Sequence, residues 1–543
     1  MASDLFDLLS LDSAVFVAER GAGGVQADVG IRGATPEETV VSINGASVND
    51  PQTAHHNLDI PIPMSALESI QITKAASPYF FGQGAMGGNL NLVTRRPEEN
   101  ICQGKAAYGS EDTRETGFYV SRADNEAGVN AAFEERSSDG WRHNTDARTM
   151  AASSSVLWEP TSNISTYALA AYGEKEFGAN GFYGAYDSKE WTDTTYLSWN
   201  TELRFEDWTL KPQLYSRRHH DKYILDVWRP DYYRNDHQTD IRGLIVEGEK
   251  LWKGLGILTA GVNAVEEKLI SNRLGRRGRD RFSSFVSWRA YEDSARGYDV
   301  FVRLDDFSPY GTKVLPGGGL YMRPMPKLKL RSTVSAAARA PTFTELYYVS
   351  PANVGNPDLA AENALNVDAG MEWGDAERDA VTGGVEFFER WSDDLIDWVK
   401  DRSSQSAYVA RNVTRTVSRG LEVSAEVQPA RWWRLSGNYT LIRSDIQKDP
   451  AVISKYALNH PEHRAVLRAA LFLAAGEQDV TLSYQDKSGM YSEVLVDATL
   501  RYRLRPDCLL FLKMKNLGNT SHEDFLDSPL PGREFLAGLT FDL

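Results

Sequence analysis

Five of the nine histidines gather in two segments: His55 and His56 within residues 49–59, and His219, His220 and His237 within 219–238. Imidazoles ligate borderline metals and exchange hydrogen bonds near neutral pH. Adjacent histidines on a strand point to opposite faces, so His219 and His220 do not chelate together there. No metal-ligand set is therefore expected, and recognition of an already chelated metal through hydrogen bonds is preferred. Aromatic and amide groups surround these histidines: Asn57 beside the first pair, Tyr79 and Phe80 in residues 77–81, Phe182 and Tyr183 in 175–193, and Tyr232 and Tyr233 in 219–238. Aromatic faces with a few polar groups suit a large, partly apolar ligand held without strong charge. The bland alternative is that single aromatics anchor the protein at a membrane interface or pack loop on loop. Covalent chemistry has no support, because the chain contains no Gly-x-Ser-x-Gly elbow, P-loop or His-Glu-x-x-His. Gly82-Gln-Gly84 with Gly87 partly mimics a dinucleotide loop, but no strand–helix unit with a ribose-binding acid follows. Ligand binding without catalysis or a resident cofactor is expected.

The elements that must position these groups are strands. From about residue 103 onward apolar residues recur at every second position. Val494, Val496, Ala498, Leu500, Tyr502 and Leu504 alternate with Asp497, Thr499, Arg501 and Arg503; Phe535, Ala537, Leu539, Phe541 and Leu543 share one face of the last segment. Short turns near Asn125, Pro160, Asp207, Gly254, Ser294, Pro326, Ala376, Pro429, Gly476 and Pro506 alternate with longer polar, aromatic loops at 175–193, 219–238, 338–363, 445–461 and 517–532. About 22 antiparallel strands result, with short turns at one rim and long loops at the other, the pattern of an outer-membrane barrel. A propeller would repeat every ~40–50 residues, and a set of soluble sandwiches would need linkers; neither signal is present.

Composition agrees. The 543 residues carry 75 Asp+Glu against 59 Lys+Arg, a net charge of −16, which argues against nucleic acid as a partner. No apolar run reaches the ~18 residues of a membrane helix, but alternating barrel strands need none. Aromatics make up 11% of an otherwise polar chain. Cys102 and Cys508 fall at the short-turn rim with one strand between them, roughly 10 Å apart, so both are expected to be free thiols.

Residues 1–100 read as a small α+β domain, with β runs at 39–43 and 70–74 and a one-turn helix over 65–69; 101–543 read as the barrel. Ile31-Arg32-Gly33, Ile43-Asn44-Gly45 with Val48-Asn49-Asp50, Leu67-Glu68-Ser69-Ile70 and Gly82-Gln-Gly-Ala-Met-Gly-Gly-Asn-Leu-Asn-Leu-Val93 resemble the plug domain of TonB-dependent outer-membrane receptors. Arg339-Ala-Pro-Thr-Phe-Thr-Glu-Leu-Tyr347, Gly355-Asn-Pro-Asp-Leu359 with Glu362, Ser418-Arg-Gly-Leu-Glu422, Asn516-Leu-Gly-Asn519 and Pro531-Gly-Arg-Glu-Phe535 resemble that family's barrel signatures, in the family's order.

The resemblance implies a 22-stranded transmembrane barrel filled by an N-terminal plug. It implies TonB-driven uptake of a scarce metal-containing nutrient, cobalamin-like first and ferric siderophore second, with any cobalt or iron belonging to the ligand. The compact barrel and the run Phe177-Gly-Ala-Asn-Gly-Phe-Tyr183 resemble the cobalamin-receptor branch, although no calcium-loop aspartate cluster is present. A passive porin or adhesin on the same barrel is the alternative, and a soluble glycan-binding β-protein a third reading. The chain opens inside the plug, so the signal peptide and TonB box are expected to lie outside it; Leu543 stands where the family usually ends on an aromatic. Expected partners are a small-molecule ligand, TonB, outer-membrane lipid and lipopolysaccharide, around a monomer. The resemblance also places an ionic cluster between plug and wall, with Arg32, Arg95 and Arg96 facing Asp368, Glu372 and Glu422, the carboxylates pointing inward by the alternation.

Overall fold

Alternation along the sequence becomes two faces of one closed sheet. A computed structural model describes residues 4–74, 84–182, 184, 186–290, 295–375, 379–402, 407–413, 415–446, 452–455, 460–487, 491–525 and 528–543. Its 22 antiparallel barrel strands run from Ile101–Gly109 to Glu534–Asp542. These two strands pair with each other, from Leu536 opposite Gly109 to Asp542 opposite Gln103, and so leave no open edge.

Polarity is inverted relative to a water-soluble protein. Val156, Trp158, Leu197, Trp199, Phe282, Val300, Leu365 and Leu467 are exposed, whereas Asn130, Arg217, Glu267 and Asp368 are buried. Such an apolar exterior is favourable only against lipid. At the short-turn rim, Phe205 stacks on Trp208 at 3.9 Å and Trp252 lies 5.5 Å from Trp288, so part of the aromatic content does serve as a rim belt. Cys102 and Cys508 are free. Their strands flank Glu534–Asp542, where Phe541 pairs with Cys508 on one side and Gly104 on the other.

Two expected loops are about half strand. Trp208–Ile224 and Arg234–Trp252 run to 17 and 19 residues, leaving only 225–233 between them, and Ile164–Gly178 and Lys189–Arg204 likewise shorten the connection expected at 175–193. About 9–11 residues suffice to cross the bilayer, so these strands continue past it. The apolar signal ends at the membrane edge, but the backbone pairing does not. At the same rim, Asn353–Val354, Tyr408–Val413, Leu395–Asp401 and Val452–Ser454 form a four-stranded sheet, packed on Leu346, Leu359, Ile396, Trp398 and Ala410.

The N-terminal domain has a four-stranded sheet, in the order Ala46–Ser47, Thr39–Ile43, Gly88–Thr94, Leu67–Lys74, and a hairpin of Val15–Glu19 with Ala27–Ile31. The helix expected over 65–69 is a single 3-10 turn at Met64–Ala66 followed directly by strand, because Leu67 already pairs with Thr94. The domain touches the wall on many sides. Met64 N–H donates to Glu134 at 3.0 Å, Thr94 meets the Tyr167 hydroxyl at 2.8 Å, Ser13 meets Thr440 at 2.7 Å, and Lys515 pairs with Asp7 at 2.6 Å. It therefore sits inside the lumen. Its core residues Val15, Ile31, Val41, Leu90 and Leu92 join the inward-facing Tyr119, Tyr167, Tyr196 and Tyr215 in one apolar cluster. A Cβ on Gly87 would lie 2.3 Å from the Ala34 Cβ and 2.9 Å from the Ile31 carbonyl oxygen, which explains glycine there.

Candidate functional site

Between plug and long-loop rim lies a cavity of about 1670 Å³. The plug supplies its floor through Arg20, Asp28, Glu37, His55 and His56. The wall and outer connections supply Phe182, Tyr186, Glu190, Asp221, Tyr232, Tyr233, His237, Tyr348, Trp398, His460, Asp524 and Phe525. Carboxylates (Asp28, Glu37, Glu190, Asp221, Glu345, Asp397, Glu493, Glu523, Asp524) outnumber the cations Arg20, Lys455 and Lys487 around it.

The floor is built around the 3-10 turn Ala54–His56. His55 Nδ1 lies 2.7 Å from Asp28, which also receives Arg20 at 3.3 Å; the Arg20 guanidinium stacks 3.9 Å over Phe525. Burial alone would raise Asp28, but His55 and Arg20 outweigh it and hold it at about 2. Burial lowers His55 and favours its neutral ring. His56 packs against His219, ring centroids 4.6 Å apart, and faces Asp59 at 3.1 Å and Asp221 at 3.5 Å. Burial opposes a charge on His56, yet hydrogen bonds to Asp221 and Asp59 raise it well above its ordinary value. Asp50 receives Arg217 and the Thr239 hydroxyl, each at 2.7 Å; burial would raise it, but Arg217 and the histidines hold it at about 2. Buried charges of this kind are stable only when paired.

Position on the strand decides which expected ligand residues reach the cavity. His55, His56, Phe182, Tyr232, Tyr233 and His237 line it. Asn57 does not; its amide holds the floor loop by accepting from Asp50 N–H at 2.9 Å and donating to the Pro36 carbonyl at 3.3 Å. On Trp208–Ile224 the odd positions face inward, so His219 is buried beneath the floor. His220 faces outward, between Asp193 at 3.2 Å and Asp236 at 3.1 Å, and takes no part in the lining. Tyr79, Phe80 and Tyr183 lie outside the described residues. Tyr348, Trp398, His460 and Phe525 were not singled out from sequence, because they sit in short elements with no sustained period: Trp398 in the outer strand Leu395–Asp401, Phe525 in the three-residue strand Glu523–Phe525, Tyr348 just after the helix Phe343–Tyr347 and His460 in a connection.

A second constellation lies lower, between plug and wall. Arg32 has φ +54° and precedes Gly33 at φ +71°. This left-handed pair, costly for a non-glycine residue, turns the Arg32 guanidinium toward three wall carboxylates. It pairs with Asp368, with Glu386 at 3.0 Å and with Glu422 at 2.5 Å. Burial disfavours the charge on Arg32, but Glu422, Asp368 and Glu386 more than restore it. Lys74 adds a second plug cation on Glu422 at 2.8 Å. Glu372 joins indirectly: Arg331 bridges it at 3.1 Å to Glu386 at 2.6 Å. Arg95 and Arg96 stand apart from the cluster. The Arg95 guanidinium lies 5.2 Å over Tyr119 and contacts Gln103, and that of Arg96 lies 5.9 Å over Tyr167. They follow the plug's exit strand, which leaves the lumen along tyrosines rather than acids. Nearer the cavity, Arg339 binds Glu345 at 2.9 Å and Glu362 at 2.5 Å, all buried, with Thr342 capping the short helix Phe343–Tyr347.

A large cavity floored by paired charges can bind, hold and release a ligand. Comparison with known proteins agrees. The family described as TonB dependent receptor-like, beta-barrel matches residues 71–517, and the TonB-dependent Receptor Plug Domain matches 1–89. The vitamin B12 transporter BtuB of Photobacterium profundum is 22% identical over 436 residues, 75% of this chain and 67% of that protein. In fold, the chain is similar to the copper transporter OprC (TM-score 0.83, 15% identity, covering 100% of this chain and 97% of the other). It is also similar to the siderophore receptor PirA from Acinetobacter baumannii (TM-score 0.82, 14% identity, 99% and 96%). With both domains matched in order across a closed barrel that holds its N-terminal domain in the lumen, the chain belongs to the TonB-dependent receptor family of the bacterial outer membrane.

Proposed function

We propose that this receptor imports a bulky metal chelate of neutral or positive charge, corrinoid-like, by binding in the cavity and passing it along the plug when TonB acts. The observation that carries this is the cavity itself. At about 1670 Å³ it exceeds the ~300–1,000 Å³ typical of small-ligand pockets. Its aromatic faces suit a flat, partly apolar macrocycle, and its excess of carboxylates opposes a highly anionic ferric chelate. The printed name of the BtuB relative points the same way. A ferric siderophore remains the second reading, favoured by the PirA likeness in fold.

The plug argues against a passive porin, since it fills the lumen and is tied to the wall by buried ion pairs. We take the working unit to be a monomer bounded by outer-membrane lipid and lipopolysaccharide, and its function to be transport rather than catalysis. Calorimetric titration of purified protein with cobalamin, cobinamide and a ferric siderophore panel tests the ligand class. Binding confined to anionic ferric chelates would refute the corrinoid reading. Uptake that survives collapse of the proton gradient would refute the TonB-driven one.

A further inference from the structure

We propose that His56 and Asp59 of the plug, with His219 of the barrel wall, form a binding site for one divalent transition-metal ion of the zinc class. All three are buried, and their potential ligand atoms lie within 4.8 Å of one another. Asp59 Oδ2 stands 3.1 Å from His56 Nδ1 and 3.7 Å from His219 Nε2. Around a zinc ion with bonds of about 2.0–2.1 Å, tetrahedral ligand atoms sit roughly 3.3 Å apart. Two of the three separations are thus near the spacing an ion needs, and the third is within 4.8 Å.

The independent observation is His219. It is 1% exposed, and its Nε2 has no hydrogen-bond partner among the described residues. An orphaned ring nitrogen at that depth is costly. Its Nδ1 lies 2.9 Å from the Thr194 hydroxyl. With the Nδ1–H donated to that oxygen, the Nε2 lone pair faces Asp59. The other ligands are oriented in the same way. His56 Nε2 faces Asp221 at 3.5 Å, and the second oxygen of Asp59 is held by Lys175 at 2.7 Å. Supporting partners on the far side of each ligand are what metal centres use to fix ring orientation. The carboxylates of Asp59 and Asp221 offset the charge of the ion.

Two ligands come from the plug and one from the wall, so the ion ties the two together and displacement of the plug dismantles the site. His56 also lines the cavity, which gives the ion a way in. On binding, the ion replaces the proton between His56 and Asp59, and that proton is released to solvent. The site does not depend on which chelate the receptor carries.

The test uses purified, EDTA-stripped, full-length protein titrated with ZnCl₂, with bound metal counted by mass spectrometry, and with CoCl₂ followed by visible absorption. One zinc per chain and the intense d–d bands of four-coordinate Co(II) are expected. His219→Ala and Asp59→Asn should weaken binding at least tenfold and abolish the bands, and Thr194→Val should weaken it about tenfold, while outward-facing His220→Ala should leave it unchanged. Absence of saturable binding to the wild type overturns the proposal. So does full affinity in Thr194→Val together with His219→Ala, with folding of each variant checked by heat-modifiable gel migration. Neither result bears on cobalamin or siderophore binding, which is measured separately.

Discussion

Arg32 Nε of the plug and Glu422 Oε1 of the wall lie 2.5 Å apart across 390 positions of sequence, in a cluster that also draws in Asp368, Glu386 and Lys74. One guanidinium thereby fastens the plug to three separate barrel strands. Removing one partner of a buried pair typically costs ~3–5 kcal/mol, because the other charge is left uncompensated. Glu422→Arg should therefore loosen the plug and raise sensitivity to small antibiotics at normal surface expression. Unchanged minimum inhibitory concentrations would show that the cluster does not seat the plug.

Glu37 gives the floor a pH dependence. Burial, then the neighbouring Glu345, raise it to about 7 against the partial opposition of Arg339. A carboxyl raised in the folded state contributes stability that is fully present below its ordinary value of 4.5 and is lost as pH rises through about 7. Glu37→Gln should thus match the wild type near pH 4 and exceed it by roughly 3 kcal/mol at pH 8. Thermal unfolding in detergent at the two pH values measures the difference, and a constant offset would contradict the assignment.

Tyr232 lines the cavity and is 61% exposed, so it is free to meet a ligand, whereas His220 turns away. Tyr232→Ala should weaken ligand binding about tenfold, ~1.4 kcal/mol, and His220→Ala should leave it unaltered. Equal effects of both, by calorimetry, would mean the outer face takes part.

Leu197 is 51% exposed on the apolar exterior, beside inward-facing Ser198. Leu197→Arg should cost about 2–4 kcal/mol if it lies near the bilayer midplane, while Ser198→Ala should cost little. Urea unfolding in lipid vesicles reads both, and a tolerated arginine would mean this face is not in lipid.

Cys102 is partly accessible and Cys508 buried, on strands separated by a third. A maleimide should label Cys102 faster in the folded protein, and both thiols should titrate in denaturant. A faster-migrating, reducible species under oxidising conditions would contradict the register.

The sequence by itself determined the barrel. Alternation such as Val494 to Leu504 is a local property that each strand carries independently, and it fixes which face meets lipid without knowledge of the neighbours. The short turns are equally local, being set by Gly, Pro and Asn at the strand ends, and Arg32, Asp368 and Glu422 were legible through motif and parity together. What lies beyond the bilayer was less so, because strand pairing continues through His219 and His237 where the apolar signal has stopped. Only the tertiary structure decided that Glu386 and Lys74 complete the Arg32 cluster while Arg95 and Arg96 stack on Tyr119 and Tyr167. It alone brought His56 and Asp59 to His219, because their meeting depends on how far the plug enters the lumen and how it is rotated there. Those two rigid-body quantities are set by the sum of contacts around the whole wall, and no single stretch of chain encodes them.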